Sequence, residues 1–277
     1  MTWKKKRIGV DLILIIFLIV MSIGINRTTQ VMANIHEEKP IYCVDTNENV
    51  VSLTFDVNWT EKDNLEVILN ILKKYNIKGT FFIMGGWVNY SEDNVNKLKL
   101  IKEGGHEIGN HSYKHPSFTK ISADKMKEEI EKTNDIIEKY TGEKPKLFRF
   151  PSGDYNKDAF LKVRNLGYMT IQWDVDSVDW KEISAEVEYN RVMKNVKPGS
   201  IILFHNAKYT PDNLDRIIKE LKGKGYEFKT VGEMIYFEDY NVDNNGIQYK
   251  NNNKYWKLTS FCIIMVICAS GSMYYTK

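Results

Sequence analysis

Residues 50–84 read VVSLTFDVNWTEKDNLEVILNILKKYNIKGTFFIM, and this stretch decides the fold class. Residues 50–55 are rich in β-branched and aromatic side chains and predict a strand, as do residues 80–84. Between them, residues 65–75 place apolar side chains at positions 65, 68, 69 and 72, which is the spacing of an amphipathic helix. The order strand, helix, strand predicts parallel strands joined by a helix.

The same alternation continues outward from this unit as far as about residue 237. Further strands are predicted near 107–108 and at 147–150, 169–173, 200–204 and 228–230, and further helices at 95–101, 122–140, 157–165, 186–194, 214–222 and 231–236. Repeated β-α units imply an α/β fold with a parallel sheet. About seven strands in roughly 190 residues fit a compact or incomplete barrel better than a full eightfold barrel, which needs about 250 residues.

The composition is that of a folded globular protein. The 277 residues are 43% hydrophobic and 27% charged, with a mean hydropathy of −0.41. These values exclude a disordered chain, a collagen repeat and a polytopic membrane protein. The net charge is +3, but residues 1–33 alone carry +4, which leaves −1 on the rest of the chain. A near-neutral body excludes nucleic acid as a partner, because that partner requires a basic surface.

The N-terminal end carries an export signal. Residues 4–7 are basic and precede an apolar run at residues 8–25. Residues 1–33 are therefore predicted to be a signal peptide or an N-terminal membrane anchor, and the sequence leaves cleavage open. Residues 34–49 are predicted to be a linker.

The C-terminal end carries a second apolar run. Residues 258–275 predict a transmembrane helix, and a helix packed on the domain is the alternative. Residues 238–257 are predicted to be a polar linker that follows a domain at residues 50–237. Together the two ends predict an exported protein, anchored to the membrane at the extracytoplasmic face or in the cell wall.

Polar residues recur where the predicted strands end. They are Asp56, His111, His115, Arg149, the segment from Asp174 to Asp179, and His205. In parallel α/β folds the carboxyl ends of the strands meet at one edge, and active sites lie there. We therefore expect these side chains to converge on one rim.

His111 and His115 are four residues apart. On a helical turn that spacing places both imidazoles on one face, close enough to share a metal ion, although two surface histidines are the alternative. Asp56 is the candidate carboxylate ligand or general base, oriented by Arg149 through a charge-assisted hydrogen bond. The alternative role for Asp56 is a helix cap.

His205 ends an apolar predicted strand. A histidine in this position can act as a general acid if a carboxylate orients it, and Asp179 is the candidate, with Trp180 beside it as a hydrophobic wall. The alternative is a core histidine that bonds to a backbone carbonyl.

Five motifs, taken in order, resemble those of the polysaccharide deacetylases with a NodB-homology domain, carbohydrate esterase family 4. They are Thr54-Phe55-Asp56, His111-Ser112-x-x-His115, Arg149-x-Pro151-x-Gly153, Asp176-Ser177-x-Asp179-Trp180 and Leu203-x-His205. The resemblance covers roughly residues 50–235 and is closest to a branch found in sporulating Gram-positive bacteria. It implies a distorted or incomplete (β/α)7 barrel and a divalent metal, most commonly zinc.

The resemblance also implies a role for each matched residue. His111 and His115 would bind the metal, Asp56 would act as base with Arg149 orienting it, and His205, paired with Asp179, would protonate the departing amine. The substrate-binding residues would be Pro151, Ser152 with its backbone N–H, Trp180 and Leu203. The implied reaction is hydrolysis of N-acetyl groups on amino sugars of a cell-envelope glycan such as peptidoglycan, by a monomer.

The chain departs from the family pattern at the first motif. A second aspartate usually follows the first and binds the metal, and here that position is Val57, followed by the neutral amide of Asn58. Metal affinity should fall unless Asp56 itself becomes a ligand, and a domain that binds glycan without turnover is therefore an alternative. Ser152 also replaces a common tyrosine. A glycosidase that uses Asp56 with Asp176 or Asp179 is a third hypothesis, which leaves the histidines unexplained.

Overall fold

In a computed structural model of the chain, residues 39–251 are described. The hydrophobic segments predicted at 1–33 and 258–275 lie outside these residues. Between residues 39 and 251, no helix has the length and apolar character needed to cross a membrane.

The strands follow the predicted order, with four additional short ones, three near the two ends of the domain and one at Val175–Asp176. They are β1 (Cys43–Val44), β2 (Val50–Val57), β3 (Thr80–Ile83), β4 (Glu107–Asn110), β5 (Leu147–Phe148), β6 (Met169–Thr170), β7 (Val175–Asp176), β8 (Ile201–His205), β9 (Glu227–Phe228), β10 (Tyr240–Val242) and β11 (Ile247–Lys250).

The helices alternate with these strands. They are α1 (Leu65–Tyr75), α2 (Gly85–Val88), α3 (Glu92–Glu103), α4 (Ala123–Thr141), α5 (Lys157–Asn165), α6 (Ala185–Asn195), α7 (Thr210–Gly223) and α8 (Val231–Met234), with single 3₁₀ turns at Pro151–Gly153 and Asp179–Lys181. Serine caps begin α3, α4 and α6, where Ser91, Ser122 and Ser184 each accept a hydrogen bond from a backbone N–H of the first turn.

The parallel strands form one curled sheet in the order β6-β5-β4-β3-β2-β8-β7, with β9 beside the start of β2. The central strand, β2, is buried along its whole length. Its side chains alternate, so that Phe55 and Val57 join the apolar cluster with α1 and α7, whereas Thr54 and Asp56 point to the other face. The predicted incomplete α/β barrel is confirmed.

The gap between β6 and β7 is covered by the start of the described chain. Ile41 forms a parallel bridge with Ile171, and Cys43 forms an antiparallel bridge with Ser200. The segment from Ile41 to Cys43 therefore connects the edge of β6 to the start of β8. This part of the predicted linker at 34–49 belongs to the fold.

Residues 240–250 also differ from the sequence expectation of a polar linker. They form a hairpin of β10 and β11, and β11 pairs in parallel with β1. Asp243 accepts hydrogen bonds from the backbone N–H groups of Asn245 and Ile247, and Gly246 has a φ of +80°. The asparagine-rich composition suggested a linker, but asparagine and glycine are also the residues that tight turns require.

Candidate active site

Strand register brings the predicted residues to one rim. Asp56 on β2 is the direct partner of His205 on β8. Asn110 at the end of β4 is the partner of Phe148 at the end of β5. The next residues, His111 and Arg149, therefore lie side by side at the carboxyl edge of the sheet.

Arg149 lies fully buried behind Asp56. One guanidinium nitrogen, Nη1, donates to Asp56 Oδ1 at 2.8 Å and to Thr54 Oγ1 at 2.9 Å, and Nη2 donates to the carbonyl of Gln172 at 3.0 Å. Burial alone would raise the pKa of Asp56, but Arg149 and nearby histidines hold this pKa below its ordinary value. Asp56 is therefore ionised at neutral pH, in the state of a base or ligand.

His111 is buried and neutral. Its Nδ1 lies 2.9 Å from the carbonyl of Arg149, which can only accept, so Nδ1 carries the proton. Burial lowers the pKa of His111 to about 4. Nε2 is left with its lone pair, has no hydrogen-bond partner, and lies 3.4 Å from Asp56 Oδ2.

His115 lies against His111, but the segment between them is not the predicted helical turn. The two rings are 4.9 Å apart and nearly perpendicular. Ser112 and His115 have φ values of +65° and +58°, which an α-helix does not allow. The side chain of Asn110 accepts from the N–H of Ser112, and Ser112 Oγ accepts from the N–H of His115. Local side-chain hydrogen bonds therefore replace the helical ones.

The donor set fits the implied divalent metal only in part. Asp56 Oδ2 and His111 Nε2 are two lone-pair atoms that face each other, an arrangement that a cation would stabilise. However, no group of three or more His, Cys, Asp or Glu side chains within residues 39–251 is arranged to hold a metal ion. Catalytic zinc sites use three protein ligands, so the residues present do not make a complete site.

The metal ligand that is missing is the carboxylate that the family has at position 57, where this chain has Val57. It is the last residue of β2, and its side chain is fully buried in the apolar cluster between the sheet and the helices. Asn58, the weak substitute considered from the sequence, lines the cavity above the rim. Asp56 could complete a metal site only by serving as a ligand through Oδ2, the oxygen that does not bond to Arg149, and it would then no longer be a free base.

His205 and Asp179 form a second charged pair on the same rim. Asp179 is fully buried, and its Oδ1 lies 2.7 Å from His205 Nδ1. Its Oδ2 accepts from the backbone N–H of His205 at 2.6 Å and from the hydroxyl of Thr210 at 2.7 Å. Nδ1 is therefore the protonated nitrogen, and Nε2 is available to a ligand in the cavity that His205 lines.

We expect the His205–Asp179 pair to show a defined pH dependence. Burial alone would lower the pKa of His205, but the Asp179 carboxylate raises it above the ordinary value. A raised histidine pKa stabilises the fold fully below about pH 6.5, and this stabilisation is lost as pH rises through the folded-state pKa. The stability advantage of wild type over Asp179→Asn should therefore shrink as pH rises above about 6.5, and NMR titration of His205 should give a pKa lower in the variant.

The cavity above the rim has a volume of about 680 Å³. Of the predicted residues, Asp56, His115, Ser152, Trp180, Leu203 and His205 line it, and His111, Arg149 and Asp179 lie behind them as partners. Ser152 reaches the cavity from the 3₁₀ turn with a φ of +54°. Pro151 is buried in that turn and does not line the cavity, and Asp174 instead binds Ser200 and Ile201 at the start of β8.

Several lining residues were missed by the sequence analysis. They are Trp59, Thr60, Glu61, Trp173, Glu182 and Ala207. Trp173 was predicted only as the end of a strand. Trp59 lies three positions after Asp56, and a bulky aromatic residue so near the first motif was the available signal for a wall of the cavity.

Comparison with known proteins agrees with the fold. A family model for polysaccharide deacetylases matches residues 44–171. The uncharacterized protein YlxY of Bacillus subtilis is 36% identical over 211 residues, which cover 75% of this chain and 65% of that protein. The peptidoglycan-N-acetylglucosamine deacetylase of Bacillus cereus is 38% identical over 194 residues, which cover 68% of this chain and 69% of that enzyme.

Among solved structures, BA3943 of Bacillus anthracis, a CE4 family pseudoenzyme, is similar in both sequence and fold. The wild-type protein superposes with a TM-score of 0.67 at 37% identity, over 72% of this chain and 69% of that chain. A BA3943 mutant with restored enzymatic activity has the same TM-score and identity, over 72% of each chain. This chain is therefore similar both to an active deacetylase and to a pseudoenzyme.

Proposed function

Because the chain belongs to the polysaccharide deacetylase family, we propose that it binds an N-acetylated glycan of the cell envelope, peptidoglycan, and that its acetyl turnover is impaired. The observation that carries this proposal is Val57. Its apolar side chain is buried where the family places a metal-binding carboxylate, and the remaining histidines lack a third ligand. Similarity to a CE4 family pseudoenzyme supports the proposal.

The glycan-binding part of the proposal rests on the shape and chemistry of the cavity. Pockets for small ligands are mostly concave and apolar, with a few placed polar groups. Here Leu203 and Trp180 supply apolar surface, and Asp56 and His205 supply an acceptor and a donor. Bound to an amino sugar, Asp56 would accept a hydrogen bond, and protonated His205 would donate one from Nε2 to the acetyl carbonyl oxygen or to a sugar hydroxyl.

A second candidate function is an active metal-dependent N-deacetylase. It is favoured by one observation, the unpartnered Nε2 of His111 at 3.4 Å from Asp56 Oδ2. A zinc ion bound there would supply Lewis-acid chemistry, and Asp56 would have to become a ligand. The two candidates differ in whether the wild-type chain releases acetate.

The structure argues against one of the two carboxylate pairs of the glycosidase hypothesis, Asp56 with Asp179. Both oxygens of Asp179 are engaged, one with His205 Nδ1 and the other with the His205 N–H and the Thr210 hydroxyl. Asp179 therefore cannot serve as a second catalytic carboxylate beside Asp56. Asp176 lines the cavity, and product analysis tests that remaining pair: shortened glycan chains would support it.

The test of the proposed function uses the full-length chain in a mild detergent. It is incubated with N-acetylglucosamine oligomers and with peptidoglycan, with and without added zinc or cobalt, and acetate release and binding are measured separately. We expect saturable binding and little or no acetate. Acetate release by wild type at rates comparable to the Bacillus cereus deacetylase would favour the second candidate, and absence of binding would refute both.

We further infer that the protein acts at the extracytoplasmic face of the membrane. The basic residues 4–7 before an apolar run, and the apolar run at 258–275, support export and anchoring. Protease treatment of intact cells should degrade the domain if it faces outward, and protection of the domain would contradict this placement.

A further inference from the structure

We propose that Trp59 and Tyr90 form a sugar subsite beside the candidate active site. It would take the neutral N-acetylglucosamine unit next to the sugar held between Asp56 and His205. This inference rests on the proposed function and extends it, because it assigns a second binding position and the kind of sugar that occupies it.

Two large aromatic side chains are exposed together at this place. Trp59 is 53% exposed and Tyr90 is 74% exposed, and their rings meet edge to face at 4.8 Å. Exposed tryptophan and tyrosine are costly to leave in water and are typical of surfaces that bind ligands through an apolar ring face and a polar tip. The pair therefore presents a ready-made platform for the apolar face of a pyranose.

The loop that carries Trp59 is fixed to the active-site rim. The buried amide of Asn206, the residue after His205, donates to the carbonyl of Asn58 at 3.3 Å and to Asp63 Oδ1 at 2.9 Å. Asn64 donates to the carbonyl of Ala207 at 2.9 Å, and Lys97 of α3 pairs with Asp63 at 3.0 Å. Trp59 is therefore held in position before any ligand binds, which lowers the entropy cost of binding.

The platform is continuous with the candidate active site. Trp59 lines the same cavity as Asp56 and His205, and Trp180, which is 56% exposed, also lines it. The cavity volume of about 680 Å³ is typical of sites for ligands larger than one amino sugar. A glycan chain with one unit at the rim would therefore place a neighbouring unit against an aromatic wall.

The charge of the cavity selects a neutral sugar for the platform. Glu61 and Glu182 line the cavity together with Asp56 and Asp176, and His205 is the cationic candidate among its described lining residues, because burial lowers the pKa of His115. Glu61 is two residues from Trp59. An acidic wall disfavours an anionic unit such as one that carries a lactyl carboxylate, so the platform fits N-acetylglucosamine.

The test measures binding of the N-acetylglucosamine monomer and dimer to the full-length chain in detergent by isothermal titration calorimetry. The wild type should bind the dimer about tenfold more tightly than the monomer, as expected for one additional sugar–aromatic contact. Trp59→Ala and Tyr90→Ala should each reduce this length dependence, with Trp59→Phe retaining most of it. Tyr249→Ala removes an exposed aromatic residue outside the cavity and serves as the matched control.

The outcomes separate the subsite from the proposed function. If wild type binds no oligomer, the proposed function fails and the subsite fails with it. If wild type binds monomer and dimer equally, or if both alanine variants keep the wild-type length dependence, the subsite is refuted and the proposed function stands. Thermal unfolding of each variant verifies its fold, and the two alanine positions provide independent tests.

Discussion

Replacement of Val57 by aspartate should give the full-length chain a zinc-dependent deacetylase activity that wild type lacks. Val57 ends β2 next to Asp56, and its side chain points into the apolar cluster. A carboxylate at this position that turns from the end of the strand to the rim would join His111 and His115 and leave Asp56 bonded to Arg149. A third protein ligand completes the usual set for catalytic zinc. Zinc affinity should rise at least about tenfold, or about 1.4 kcal/mol, measured by competition with a chromophoric chelator, and acetate should be released from N-acetylglucosamine oligomers.

Val57→Asp should also change the stability of the fold, and measuring this change with and without zinc provides a control. Val57 is fully buried among apolar side chains, and a carboxylate that stayed there without a partner would destabilise the fold by several kcal/mol. If the new side chain reaches the rim, zinc should raise the unfolding temperature of Val57→Asp. Val57→Thr adds polarity without a charge and should gain neither zinc affinity nor activity.

Three results would contradict this account. A folded Val57→Asp variant that binds zinc and releases no acetate would refute the assigned roles of Asp56 and His205. Equal activity in wild type and Val57→Asp would refute the impaired turnover. Equal zinc affinity in Val57→Asp and Val57→Thr would show that position 57 does not reach the metal site.

The spacing of apolar residues predicted the alternation of strands and helices, because burial of one face of each element sets that spacing locally. The helices predicted at 65–75 and 157–165 match the structure to the residue. In α1, the apolar residues Leu65, Ile68, Leu69 and Leu72 form the buried face, so the sequence pattern and the packing carry the same information. The convergence on one rim was also predictable, because parallel strands place their carboxyl ends together.

The remaining features depend on contacts that sequence spacing does not encode. The turn from His111 to His115 is set by side-chain hydrogen bonds of Asn110 and Ser112, which compete with a helical turn of the same length. The β10–β11 hairpin is ordered through pairing with β1, almost two hundred residues earlier in the chain. Thr210, which positions Asp179, carries no local signal, and the motif that contains Thr54 does not indicate that this hydroxyl bonds to Arg149.

Replacement of Arg149 by methionine should destabilise the fold by about 3–5 kcal/mol at neutral pH, which for a domain of roughly this size lowers the unfolding temperature by about 6–20 °C. The guanidinium is fully buried, lies 4.0 Å from the ring centroid of Phe82, and satisfies Asp56, Thr54 and Gln172. Methionine fills much of the volume but leaves the Asp56 carboxylate buried without its counter-charge. Thermal unfolding followed by circular dichroism measures the loss.

The pH dependence and a double variant separate lost charge from lost packing. In wild type the lowered pKa of Asp56 stabilises the fold above about pH 4, and this contribution is lost as pH falls through the folded-state value. Without Arg149, burial raises the pKa of Asp56, so the difference from wild type should be largest near neutral pH and should narrow toward pH 4.

Arg149→Met combined with Asp56→Asn removes the unpaired charge and should recover most of the loss. Arg216→Met removes a surface ion pair with Glu186 and should cost no more than about 1 kcal/mol. If Arg149→Met is as mild as Arg216→Met, the buried pair does not hold the rim together.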